Sequence, residues 1–206
     1  MSSNKTDKNI ANAFKVVYAT YENIEKLMLY LFNSAKEKGD YTPRIEKFLR
    51  WSGDSNYHAW AYHSIILVFQ KTSDPELENG WRDGPLYIID FNLYDFDEAL
   101  VQTARFDYYD MSALPENLSP GDHWRFDGIT THHYYDLIEY TEEDDGYYYG
   151  DIKDLNKADK SYWGLRRVTG YSYPLTEITS ENAYDMVFGN FNLLAQDKKI
   201  KNNTLL

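Results

Sequence analysis

Residues 86–93 read LYIIDFNL, the clearest alternating run in the chain. Tyr87, Ile89, Phe91 and Leu93 share one side and Leu86, Ile88, Asp90 and Asn92 the other, the two-residue period of a β-strand. After a turn at residues 94–98, the run ALVQTARFDYY at residues 99–109 alternates again. Leu100, Gln102, Ala104, Phe106 and Tyr108 oppose Val101, Thr103, Arg105, Asp107 and Tyr109. Two such runs joined by a short turn predict an antiparallel hairpin, and a sheet can be read outward from it.

Upstream, SIILVF at residues 64–69 is short, apolar and β-branched, the pattern of a buried strand, and the polar residues 71–84 form a loop with turn signals at Asn79-Gly80 and Asp83-Gly84. Pro43 predicts the first turn of a short helix carrying Ile45, Phe48 and Leu49. Before it, Ile10, Phe14, Val17, Tyr21, Ile24, Met28, Leu31 and Ala35 recur in alternating steps of four and three, which places them on one stripe of a long helix. Thr6 or Asp7 can cap its start, and Gly39 after Lys36 and Lys38 marks its end. That stripe has two readings: a face laid on the sheet, or a seam to a second copy of the chain.

Downstream, residues 124–129, 133–140, 147–149 and 162–168 read as further strands, with a charged turn at residues 142–146. Pro174 interrupts the pattern, and a last helix carries Ala183, Met186, Val187, Leu193 and Leu194. The order predicts an α+β fold, with a long N-terminal amphipathic helix and a C-terminal helix on one face of an antiparallel sheet of about five to seven strands. Residues 1–206 are read as a single domain, since no Pro- or Gly-rich linker divides them, with frayed tails at 1–6 and 198–206.

The acidity is concentrated. Residues 83–152 hold 17 Asp or Glu against Arg105 and Arg125, a local charge of −15 within a chain of net −12, and ten of the 20 tyrosines fall there too. Such a balance opposes direct nucleic-acid binding, which needs Lys and Arg to neutralise phosphates, and opposes docking on anionic membranes. With no cysteine and a polar N-terminus, the expected location is the cytoplasm.

No Gly-x-Ser-x-Gly elbow, phosphate loop or dinucleotide turn is present, and no cofactor is expected. His132 and His133 point to opposite sides of a strand, and the acidic turn lacks the alternation of a Ca²⁺ loop, so no metal is expected either. The expectation is therefore a non-enzymatic interaction protein of inhibitor or immunity type, one that can imitate nucleic-acid charge. Its partner would be the basic surface of a protein, for instance one that handles nucleic acids. The candidate binding residues are Asp107, Tyr108, Tyr109, Asp110, Tyr134, Tyr135, Asp136, Glu142, Glu143, Asp144, Asp145, Tyr147, Tyr148 and Tyr149. The competing expectation is a small-ligand binder or hydrolase with a pocket around Asp90 and His132 or His133, in which burial raises the pKa of Asp90 unless Arg105 pairs with it.

Overall fold

The computed structural model describes residues 3–50, 61–94, 97–126, 137–143 and 146–196. Helix α1 covers Ser3–Lys38, and strand β1 covers Tyr41–Pro43. Next come β2 (Ser64–Lys71), β3 (Leu86–Asn92) and β4 (Leu100–Tyr108). The chain continues through β5 (Ile138–Glu142), β6 (Tyr147–Ile152), α2 (Leu155–Ser161), β7 (Leu165–Pro174) and α3 (Ala183–Gln196). The strands form one antiparallel sheet in the order β1-β2-β3-β4-β7-β6-β5. The architecture is α+β, with the hairpin of residues 86–108 at its centre.

One face carries Ile65, Leu67, Phe69, Tyr87, Ile89 and Phe91, which pack against Ile24, Met28, Leu31 and Ala35 of α1 and Val187, Phe188 and Phe191 of α3. The other face carries Ile66, Val68, Leu86, Ile88, Phe106 and Val168, closed by α2 and by loops that contribute Trp81, Leu114 and Phe126. The strict alternation along β2 and β3 thus feeds two cores, so neither strand has a solvated side. Both strands are buried along nearly their whole length.

Gly170 lets one of these layers close. A Cβ there would lie 2.4 Å from Tyr148 Cζ and 2.6 Å from the Thr103 carbonyl oxygen, so the fully buried Tyr148 ring rests on bare backbone. Gly146, at φ +77°, turns the chain between β5 and β6, where a side chain would also meet the Ser172 carbonyl oxygen.

Four local expectations are corrected. Residues 44–50 form no helix. The proline ends edge strand β1, and Leu49 instead exchanges both backbone hydrogen bonds with Ile66, at 2.9 and 3.0 Å. Residues Pro120–Arg125 form a 3-10 helix rather than the start of a strand. Asp122 accepts from the Ser119 amide at 2.8 Å and pairs with Arg125 at 2.6 Å, while Arg125 stacks between Trp124 and Trp163. Strand β7 continues through Pro174, whose missing N–H falls at the strand end. The N-terminus of α1 begins at Ser3, ahead of the expected cap. The strands expected at 124–129 and 133–140 lie partly outside the described residues, as does the tail at 198–206.

Candidate interaction surface

The interest of the sheet lies where α3 stops covering it. On the helix side of β4, β7, β6 and β5, the antiparallel registers align residues into cross-strand rows. One row reads Asp107, Arg167, Asp151, Glu139, and the next reads Arg105, Thr169, Tyr149, Thr141. A third reads Thr103, Tyr171, Tyr147, and Glu143 extends it by donating its amide to the Tyr147 carbonyl at 2.7 Å. Residues opposite each other in an antiparallel pair share a face at about 5 Å, so this is one continuous lattice.

Its charges interlock. Asp107 Oδ1 accepts from Arg105 Nη2 at 2.6 Å and Nε at 3.0 Å, and Arg105 Nη1 also donates to the Leu194 carbonyl at the C-terminal turn of α3. Arg167 Nε lies 3.3 Å from Asp151 Oδ1, and its guanidinium sits 5.9 Å from the Tyr149 ring centre. Burial raises the Asp107 carboxyl above its ordinary range, against the opposing pull of Arg105 and Arg167. The aromatic part is stacked: Tyr147 to Tyr171 at 5.2 Å and Tyr147 to Tyr149 at 6.1 Å between ring centres. Tyr147 is buried, Tyr149 and Tyr171 are half-buried, and Glu139, Thr141, Glu143 and Asp151 are exposed toward the sheet edge at β5.

The structure therefore divides the residues singled out from sequence. Asp107, Glu143, Tyr147 and Tyr149 come together on this lattice. Glu142 is exposed on the same edge strand but points to the other side, where Tyr140 Oη donates to its carboxylate at 3.2 Å. Tyr148 and Tyr108 face the loop-side core, and burial drives both phenols well above their ordinary pKa. Asp110 caps a 3-10 turn at Met111–Ala113, accepting from the Ser112 amide at 2.8 Å and Oγ at 2.6 Å. Tyr109 is exposed beside it, with the Arg166 guanidinium 5.0 Å from its ring centre. Tyr134, Tyr135, Asp136, Asp144, Asp145, His132 and His133 lie outside the described residues.

Arg167 and Tyr171 were missed because the acidic segment was bounded at residue 152, short of β7. The alternation of Arg167, Thr169, Tyr171 and Tyr173 was the available signal. Asp90 is fully buried on the loop side, accepts from Ser64 Oγ at 2.6 Å and stands opposite Gln102. It does not pair with Arg105, which projects from the opposite face.

Together these features define an α+β protein with a helix-covered antiparallel sheet and an open, acidic and tyrosine-bearing edge. Comparison with protein-family models, with curated proteins and with solved structures gives no match. No helix among the described residues is long and apolar enough to cross a membrane.

Proposed function

We propose that this chain is a non-enzymatic acidic interaction protein of the inhibitor or immunity type, which binds a positively charged partner protein through the β7–β6–β5 lattice. The observation that carries the reading is the convergence of Asp107, Asp151, Glu139 and Glu143 with the open Tyr149 and Tyr171 rings on one side of the sheet. Carboxylates at the edge steer a basic surface into contact, and half-buried tyrosines supply contact area at small entropic cost. Arg105 and Arg167 hold the inner carboxylates in place, and Glu139 and Glu143 are exposed outside them. A basic groove of a nucleic-acid-handling protein suits such a surface, since it is built to accept closely spaced negative charge.

The test is association with a panel of basic nucleases and nucleic-acid-binding proteins at about 50 and 500 mM salt. Wild-type chain should bind one member, with an on-rate that falls steeply with salt. The variant Glu139→Lys/Glu143→Lys should associate about tenfold more slowly at low salt, with a smaller change at high salt. Salt-independent binding, or binding indifferent to these reversals, removes the support for the reading.

A second reading, a small-ligand or hydrolytic site, rests on the buried Asp90 carboxylate beside Ser64. It predicts that Asp90→Asn abolishes ligand binding or turnover while the fold is retained. The interaction reading predicts partner binding unchanged in that variant.

A further inference from the structure

The two edges of the sheet are finished differently. Strand β1 is three residues long and ends in Pro43, whereas β5 is five residues long, carries no Pro or Lys, and pairs with β6 without a bulge. Among the described residues the sheet ends at β5. Hydrogen bonds at both ends of the β5–β6 hairpin fix which backbone groups face outward. Leu137 accepts from the Lys153 amide at 2.9 Å and Glu143 donates to the Tyr147 carbonyl at 2.7 Å, so the odd-numbered positions of β5 bond to β6. Tyr140 and Glu142 therefore direct their N–H and C=O away from β6. Glu139, Thr141, Glu142 and Glu143 are exposed along this edge. We propose that the partner's basic surface includes an extended segment that adds to β5 as a further antiparallel strand. The proposal rests on the interaction reading of the β7–β6–β5 lattice and supplies its docking mode.

Charge selects that occupant. The row Asp107, Arg167, Asp151, Glu139 ends in two carboxylates directly opposite each other, an unfavourable cross-strand pair that a base at the next position of the row would relieve. A strand laid antiparallel along β5 sets its side chains opposite Glu143, Glu142, Thr141, Tyr140 and Glu139 in turn. Lysine or arginine at the first, second and fifth of these positions meets a carboxylate on both sides of the sheet. The fourth position, beside the half-buried Tyr140, takes an apolar β-branched residue. The same charges bar a second copy of this chain. Pairing β5 with itself about Thr141 would set Glu139 opposite Glu143 twice, like charges on strands about 5 Å apart.

Titration of the full chain with a seven-residue peptide tests the proposal. The peptide is capped at both ends and carries lysine at its second, third and sixth positions, valine at its fifth and threonine elsewhere. At about 50 mM salt it should bind with a Kd of about 10–100 μM. N-methylation of its third and fifth amides, which lie opposite Glu142 and Tyr140, should weaken binding about tenfold or more. Methylation of the fourth, opposite Thr141, should change it by no more than about twofold. On the protein, Glu142→Pro removes the outward amide and leaves the bonds to β6, so it should weaken binding about tenfold beyond Glu142→Ala, which removes only the charge. The methylation series stands by itself should Glu142→Pro fail to fold. Equal weakening by all three methylations, or by none, overturns the proposal, as does absence of binding up to about 1 mM. A basic protein that binds in a salt-dependent way, yet binds Glu142→Pro and Glu142→Ala alike, supports the interaction reading and overturns strand addition. A peptide that shows the alternating methylation pattern while no member of the basic panel binds supports strand addition and removes support for the panel's class of partner, so the two failures are separable.

Discussion

At the β2–β3 end of the helix-side face, the period-two positions carry Ile65, Leu67, Phe69, Tyr87, Ile89 and Phe91 beneath α1 and α3. At the β7–β6 end of the same face, equivalent positions carry Arg167, Thr169, Tyr171, Tyr147, Tyr149 and Asp151. Both ends follow the same alternation, so the backbone treats them alike. What separates them is the helical cover, and the polar end is where that cover runs out. Helix α1 repeats the lesson along its own length, since a single stripe is core at Leu31 and surface at Phe14. Alternation therefore tells which residues share a face, and coverage decides whether that face becomes a core or an interface.

The contrast can be tested by substitution at both ends. Phe191→Ala, which empties a site ringed by Tyr41, Phe69, Tyr87 and Phe188, should lower stability by about 3–5 kcal/mol in urea unfolding. Tyr149→Ala should cost less than about 1 kcal/mol, because its half-open ring leaves little cavity. Equal losses would mean that the polar end is as much core as the apolar one.

Next in size is the charge lattice. Arg105→Met should cost about 2 kcal/mol, since it strips Asp107 of its two shortest hydrogen bonds in a largely dry site. Arg105→Met/Asp107→Leu should recover much of that loss, and a double-mutant cycle on thermal or urea unfolding measures the coupling. If the single and double variants are equally destabilised, Arg105 acts by filling space and not by holding the carboxylate.

The apolar end should also set the alkaline limit of the fold. Burial raises the Tyr41 and Tyr87 phenols above the ordinary value near 10. Above about pH 10 the unfolded chain loses these protons while the folded chain keeps them, so stability falls as pH rises. Each such tyrosine contributes a slope of about 1.4 kcal/mol per pH unit until its folded pKa is reached. Unfolding free energy measured from pH 9 to 11 should fall less steeply in Tyr87→Phe, and an unchanged slope would show that this phenol does not control the limit.

The smallest effect on stability belongs to the sheet edge. Glu139→Lys should change the unfolding free energy by no more than about 0.5 kcal/mol, since its side chain is exposed on an edge strand. A large loss would mean that this carboxylate supports β5 itself rather than a partner contact.

The central hairpin was legible because residues 86–93 and 100–108 alternate strongly and are joined by a short polar turn. The long first helix was equally clear from its repeat, and the last helix from its spacing. Pro43 and the Trp124–Arg125–Phe126 run misled for a shared reason. Proline suits both the first turn of a helix and a strand edge, and aromatic residues suit strands and packed loops alike, so local composition leaves either open. Strand β7 was cut short at Val168 because Pro174 weighs against a strand until its position at the strand end is known. The candidate surface was half visible. Tyr147, Tyr149, Asp107 and Glu143 stood out by composition, while Arg167 and Tyr171 joined them only through registers between strands distant in the chain.

The amino-acid sequence by itself determined the two-residue and seven-residue periods, and with them the strands, the first helix and the side of each strand on which every residue falls. Those are local consequences of backbone geometry and need no knowledge of neighbours. The tertiary structure decided the strand order, which inserts β7 between β4 and β6, and so set Asp107, Arg167 and Asp151 in one row. It also decided where the helical cover ends, because that depends on how far α1 outruns a sheet of fixed strand length. Tyr148 and Tyr149 are adjacent in the chain and alike in chemistry, yet one rests sealed against Gly170 and the other opens onto the lattice.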